Sequence, residues 1–347
     1  MSSNKVASGS IVSGAELLNT TDQLVGVLQQ APRVWLITDS ERLGRRFEDD
    51  FLRVVVEQFD KVYDAQGVTV LLAEGWETPP ATAAAQRYDP PVAMGPLALL
   101  GWELGEFTAE GRVPMTLLWQ KVGPIDDQIN TSVQIFDADG TALTQADGPP
   151  ARGMTTTFDF DRVVLPDPKQ PLLPANLAPG RYRIDVVAYR VTDGALLSEP
   201  VAVAWFQIGP PPAPPTVAVN AAWQDGIVLV GHDDLPATLQ PGDTVNLRLV
   251  WRADAKQSAD YTVFVHLLDV NGQIVAQHDR APENGFYATS QWHVGETVAD
   301  DYALVLPETL APGAKRLVAG LYDPATGQRL LTAEGRDAVE LAAWPAP

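Results

Sequence analysis

Between positions 260 and 292 the chain alternates. Tyr261, Val263, Val265 and Leu267 interleave with Thr262, Phe264, His266 and Leu268. A two-residue period in β-branched and aromatic residues predicts a strand with two different faces. Asn271-Gly272 follows, a pair suited to the positive φ of a tight turn, and residues 273–277 return as the partner strand. The same layout occurs once upstream. Trp119 and Trp251 each end an alternating strand, and the turns 137–140 and 269–272 keep their separation of 132 residues. Asp147 and Asp279, Pro150 and Pro282, Gly153 and Gly285, Thr157 and Thr289, and Phe160 and Trp292 stand at the same distance. Farther on the offset is 133, for 177–180 against 310–313, Tyr189 against Tyr322 and Gly194 against Gly327. A register held over so many turn and core positions predicts a duplicated unit, with variable loops at 167–175 and 294–302.

Short strands broken by turn clusters, a little over 100 residues per copy, predict a mainly β chain of two tandem immunoglobulin-like β-sandwiches, at 98–208 and 217–343. Trp119, Trp251, Tyr189 and Tyr322 are the expected structural core, with each tryptophan filling the space between two sheets. Ahead of the sandwiches, residues 33–38 and 68–72 read as strands. Leu43, Phe47, Phe51, Val55 and Phe59 recur every four positions between them, as on an amphipathic helix. Strand, helix, strand predicts a small α/β (βαβ) unit at 15–76 with a parallel pair, too small to be stable by itself. A tail at 1–14, a Pro/Ala-rich linker at 77–97 and a stiffer Pro-rich linker at 209–216 complete the expected division.

Charge changes the picture of partners. Lys plus Arg is 24 against 44 Asp plus Glu, a formal net charge of −20. Such a surface repels phosphate backbones and anionic headgroups, so no nucleic acid is expected as a partner. No apolar run is long enough to span a bilayer, so no direct membrane insertion is expected either, and the first residues carry no signal-peptide pattern. With no cysteine there are no disulfides, thiolate metal sites or cysteine nucleophiles.

Candidate chemistry is sparse. Phe286, Tyr287 and Trp292 flank a loop and could stack on sugar rings, although the match of Trp292 to Phe160 favours core packing. Asp269, Asn271 and Asp279, with Asp300 and Asp301, could gather around Ca²⁺, as could Asp137, Asp139 and Asp147 in the first copy, since oxygen ligands at loop ends suit calcium, yet Asp and Asn are also the residues that turns require. No cofactor other than calcium is suggested. The four histidines, His232, His266, His278 and His293, fall in or near the second sandwich without metal-ligand spacing. No nucleophile-elbow, P-loop or dinucleotide motif occurs, so no catalytic residue is expected.

Residues 261–272, 276–282, 287–292, 304–307, 310–313 and 320–330 resemble modules appended to bacterial integral-membrane glycosyltransferases, enzymes similar to the dolichyl-phosphate-mannose–protein mannosyltransferases. The segment 33–39 and its helix is similar to the soluble stretch after the last membrane span of such proteins. The resemblance implies an extracytoplasmic, cell-surface location and a non-catalytic role in spacing, docking or glycan contact, with a membrane-embedded glycosyltransferase portion or a glycan as partner. The family's catalytic acids lie among membrane helices that have no counterpart in this chain. An independent carbohydrate-binding or adhesion module, or a hydrolase with an unrecognised site, are the alternatives.

Overall fold

The computed structural model describes residues 18–39, 43, 45, 47–77, 85–155 and 164–345. The tail, residues 79–80 of the first linker, Thr157 and Phe160 lie outside them. The chain forms two compact units, Met1–Ile208 and Gly209–Pro347. Among the described residues no helix is long and apolar enough to cross a membrane.

In the first unit, helix α1 (Thr21–Gln30) starts at a capping box in which Thr20 accepts from Gln23 N and the Gln23 side chain accepts in return. Strand β1 (Val34–Thr38), helix α2 (Asp49–Gln58), strand β2 (Asp60–Ala65) and strand β3 (Val68–Ala73) follow. The periodic residues Phe51 and Val55 face inward as expected, and Phe59 is buried at the helix C-cap. The parallel pair does not exist: β1 and β3 are antiparallel, with Val34 opposite Ala73, and the sheet order is β1-β3-β2. The reason is β2, a wholly exposed strand that the hydrophobic pattern does not mark. Gln66 and Gly67, both at positive φ, turn it back as a hairpin and reverse the direction of β3.

The first sandwich pairs two four-stranded antiparallel sheets. One is β4 (Gln86–Met94), β5 (Leu97–Leu104), β6 (Met115–Lys121) and β9 (Leu165–Lys169). The other runs β11 (Val201–Ile208), β10 (Gly180–Arg190), β7 (Ile129–Phe136), β8 (Ala142–Gly148). Strand β4 corrects the linker boundary. Pro90 and Pro91 sit in an edge-strand irregularity between Arg87 and Val92, where no ladder hydrogen bond is required of them.

The small unit docks on this sandwich. Leu24, Phe51, Val55 and Leu71 belong to one hydrophobic cluster with Met115, Trp119 and Val186. Arg152 donates to the carbonyls of Val56 and Phe59, both at 3.1 Å, satisfying the free end of α2. Arg53 reaches Glu103 at 2.5 Å.

The second unit repeats the plan strand for strand. One sheet is β12 (Val217–Ala222), β13 (Ile227–His232), β14 (Thr244–Ala253) and β17 (Thr297–Val305). The other is β16 (Ile274–Arg280), β15 (Thr262–Leu268), β18 (Lys315–Tyr322) and β19 (Val339–Trp344). Trp119 lies opposite Leu99 and Leu165, Trp251 opposite Leu229 and Val298, and both are fully buried. Tyr189 and Tyr322 are not core residues. Each is half-buried, opposite Asn130 and Thr262 on the outward side of its sheet.

The ladders also move the change of offset. Leu165 and Val298 occupy the same rung, so the extra residue of the second copy precedes β17. Asp167 and Tyr302 lie in strands, not variable loops.

Candidate functional site

The outward side of the sheet β16-β15-β18-β19 is not an ordinary solvent face. Val263, Val265 and Leu267 fill the core, and Phe264 and His266 point the other way, yet these two are only 1% and 5% exposed. Phe264 stands opposite Gly320, His266 opposite Val318 and Leu268 opposite Arg316. Gly320 is required by the packing: a Cβ there would lie 2.4 Å from Phe264 Cζ and 2.7 Å from Asp337 O. The Arg329 guanidinium covers the Phe264 ring at 4.2 Å from its centroid and donates to Asp337 Oδ2 at 2.8 Å.

The cover is the connection from β18 to β19. Leu330 N bonds Leu321 O as Leu197 N bonds Ala188 O in the first copy, and Val339 and Val201 then open the last strands. Between these landmarks the second copy has eight residues, 331–338, where the first has three, 198–200. The longer piece closes on itself through Thr332 N to Arg336 O at 2.7 Å. It is tied to the end of β12 through Ala333 N to Ala222 O and Gln224 N to Leu331 O, both 2.9 Å.

Beneath it lies a groove of about 560 Å³, within the roughly 300–1,000 Å³ range of small-ligand sites. Leu268, Ile274, Val318 and Leu331 supply its apolar surface. His266, Arg316, Arg329, Arg336, Asp337 and Glu340 supply the polar groups. His266 Nε2 is 2.9 Å from Asp279 Oδ1, and among the described residues Nδ1 has no hydrogen-bond partner. Arg316 stands 3.7 Å from Glu340 and Arg336 stands 3.5 Å from Glu334, exposed pairs of little energetic weight.

The residues first singled out lie elsewhere. Phe286, Tyr287 and Trp292 are 7%, 0% and 0% exposed, so their ring faces are covered by protein and offer no sugar platform. Trp292 Nε1 donates to Tyr287 O at 3.2 Å, and Tyr287 Oη donates to Glu296 Oε2 at 2.7 Å. Nor does the structure bring the calcium candidates together. Asp269 Oδ1 accepts from Asn271 N and Gln273 N, both at 2.8 Å, as a turn residue does. Asp279 is at the other end of the hairpin, opposite Phe264, roughly 16 Å along the strand. Among the described residues no group of three His, Cys, Asp or Glu is placed to hold a metal.

The sequence offers Asp300 only as a calcium ligand and places Asp167 in a variable loop. Asp167 and Asp300 occupy the same rung of their sandwiches, opposite Leu117 and Leu249, and are 0% and 2% exposed. Each accepts from the first left-handed residue of a Pro-x-x-Gly turn: Ala151 N to Asp167 Oδ1 at 3.2 Å, Glu283 N to Asp300 Oδ1 at 3.1 Å. Both turns hold two non-glycine residues at positive φ, Ala151-Arg152 and Glu283-Asn284, a conformation costing roughly 1–2 kcal/mol per residue. Burial raises both carboxyls above their ordinary value, against the donors that favour the charged form. Burial, and then the charge of Asp300, pushes the Tyr302 hydroxyl well up. The donors hold these carboxylates inside the sandwiches, where they stabilise the turns and meet no substrate.

No protein-family model matches the chain, and no curated protein does. Among solved structures, Bacteroides uniformis β-glucuronidase 2 in a covalent complex is similar at 15% identity and a TM-score of 0.22, over 65% of this chain and 26% of that one. The C-terminal domain of the Streptococcus agalactiae AgI/II polypeptide BspA is similar at 10% identity and a TM-score of 0.18, over 67% of this chain and 92% of that one. The chain spans about a quarter of the length of the glucuronidase it matches, and scores this low carry no functional argument. The β-sandwich fold stands on the ladders themselves.

Proposed function

We propose that the chain is a non-catalytic, extracytoplasmic β-sandwich region that contacts glycans through the groove of its second sandwich. The observation that carries this reading is the groove itself: an apolar floor flanked by guanidinium and carboxylate groups, under a connection longer than its counterpart in the first copy. Sugars present apolar C–H faces and hydroxyls in alternation, which such a surface can match. The first sandwich and its docked α/β unit then serve as scaffold. The resemblance to modules appended to membrane glycosyltransferases supports a place on the outer side of a membrane beside such an enzyme. Ca²⁺ has no part in this reading.

A glycan array probed with the full chain tests it. Saccharide binding is expected, unchanged by a chelator and lost in Leu331→Asp, which places a charge on the apolar lining of the groove where its cover begins. Absence of binding to any saccharide would sink the reading. Turnover of a glycoside would replace it with a hydrolase.

A further inference from the structure

Resting on that reading, we propose that the groove selects saccharides carrying a carboxylate, held by Arg316 and Arg336. Across the whole chain acidic residues outnumber Lys and Arg, 44 to 24. Along the groove the order inverts, with three arginines against Asp337 and Glu340. Arg329 is committed to the Phe264 ring and to Asp337. The other two are held more loosely. At 3.7 and 3.5 Å from their nearest acids, Arg316 and Arg336 are beyond the ~2.7–2.9 Å of a charge-assisted hydrogen bond. Arg336 shares a long, exposed hydrogen bond with Glu334, whose carboxyl it helps Thr332 hold below its ordinary value, and Arg316 stands farther from Glu340.

A guanidinium offers donors in a planar fork that matches a carboxylate. Two forks beside an apolar floor therefore fit an acidic sugar better than a neutral one. His266 adds a polar group to the same groove. It is 5% exposed and lines the groove, with Nε2 on Asp279 and Nδ1 without a partner among the described residues. A ring nitrogen left open at the groove can exchange a hydrogen bond with a ligand hydroxyl.

Calorimetric titration of the full chain separates the outcomes. The probes are oligosaccharides in matched pairs, uronate oligomers and sialyllactose as free acids and as methyl esters, with neutral oligosaccharides and acetate alongside. At least one free acid should bind about ten-fold or more tightly than its ester, the loss expected for a charge-assisted hydrogen bond. Arg316→Gln with Arg336→Gln should abolish that preference. Both side chains are exposed, and unchanged circular dichroism would confirm folding. Equal binding of acid and ester, or binding of neutral sugars only, overturns the charge selection and leaves the glycan reading standing. Binding of no saccharide removes both. Acetate competing as well as any acid saccharide would reduce the site to a simple anion site and overturn the proposal.

Discussion

The two sandwiches solve one packing problem with different polar groups. Each places a tryptophan on one rung and a buried aspartate two residues away on the neighbouring strand. In the first copy Asp167 Oδ2 accepts from Trp119 Nε1 at 3.2 Å and Thr131 Oγ1 at 2.6 Å, and Lys169 Nζ lies 3.3 Å from Oδ1. In the second, Val263 replaces the threonine, and Trp251 Nε1 has no partner among the described residues. Its ring leans on Trp223, centroids 5.8 Å apart. Asp300 instead accepts from the Tyr302 hydroxyl and from Arg280 Nη2 at 2.6 Å. Lys169 and Tyr302 share a rung, as do Gly148 and Arg280. The cation has changed strands while the carboxylate stayed. Gly148 shows why: at φ 149° it has a backbone that side chains rarely adopt, so the first copy cannot supply its cation from that position. What persisted through duplication is the need of a left-handed turn for a buried acceptor.

If that need is the common element, removing the carboxylate should have the largest effect, and a similar one in both copies. Asp167→Ala and Asp300→Ala each strip a cation, Lys169 or the partly buried Arg280, of its carboxylate and leave a turn N–H without an acceptor. Each is expected to lower stability by about 3–5 kcal/mol in urea unfolding of the full chain. A loss under about 1 kcal/mol in either copy would mean that the turn does not depend on it.

The swap of partners predicts coupling in the second copy. Arg280→Gly strips Asp300 of its cation, and Tyr302→Lys alone sets a second cation beside Arg280. Made together, the two changes recreate the arrangement of the first copy. The double variant should be more stable than the sum of the single losses allows, by about 0.5–3 kcal/mol. Strict additivity would show that the two arrangements are not interchangeable.

Much of this was legible in the chain and some was hidden, for physical reasons. The duplication could be read because turn glycines and the tryptophan plugs are fixed by backbone geometry and volume. The α/β unit was misread because Asp60 to Ala65 is a strand without a buried face, so no periodicity announces it. Pro90-Pro91 and the Pro166-Asp167-Pro168 run read as linker and loop. Prolines are tolerated on strands β4 and β9 because both are sheet edges, with ladders on one side only. That disguise also hid Asp167, and with it the match to Asp300. The groove was illegible for another reason. Its cover, 331–338, reads as a turn, and only the register shows it lying over His266 and Phe264.

The smallest effect expected is a pH dependence that separates Asp300 from Asp225 within the second unit. Asp225 sits on the turn before β13, where burial raises its carboxyl. Ser258 N at 2.6 Å, and the Tyr261 and Ser258 hydroxyls at 2.9 Å each, outweigh burial and hold it below the ordinary 3.8. Its contribution is present above the unfolded value and lost as pH falls through the folded one. Asp300 runs the other way. Its folded value lies above 3.8, so its contribution is full below 3.8 and lost as pH rises through the folded value. Neither asparagine variant titrates at its site. Between pH 7 and 3, the stability advantage of the unsubstituted chain over Asp300→Asn should therefore widen on acidification, while its advantage over Asp225→Asn should narrow in the most acidic part. Urea midpoints at several pH values measure both. Parallel trends would show that burial does not govern Asp300, and would remove the distinction between a carboxylate enclosed by the sandwich and one bound at its rim.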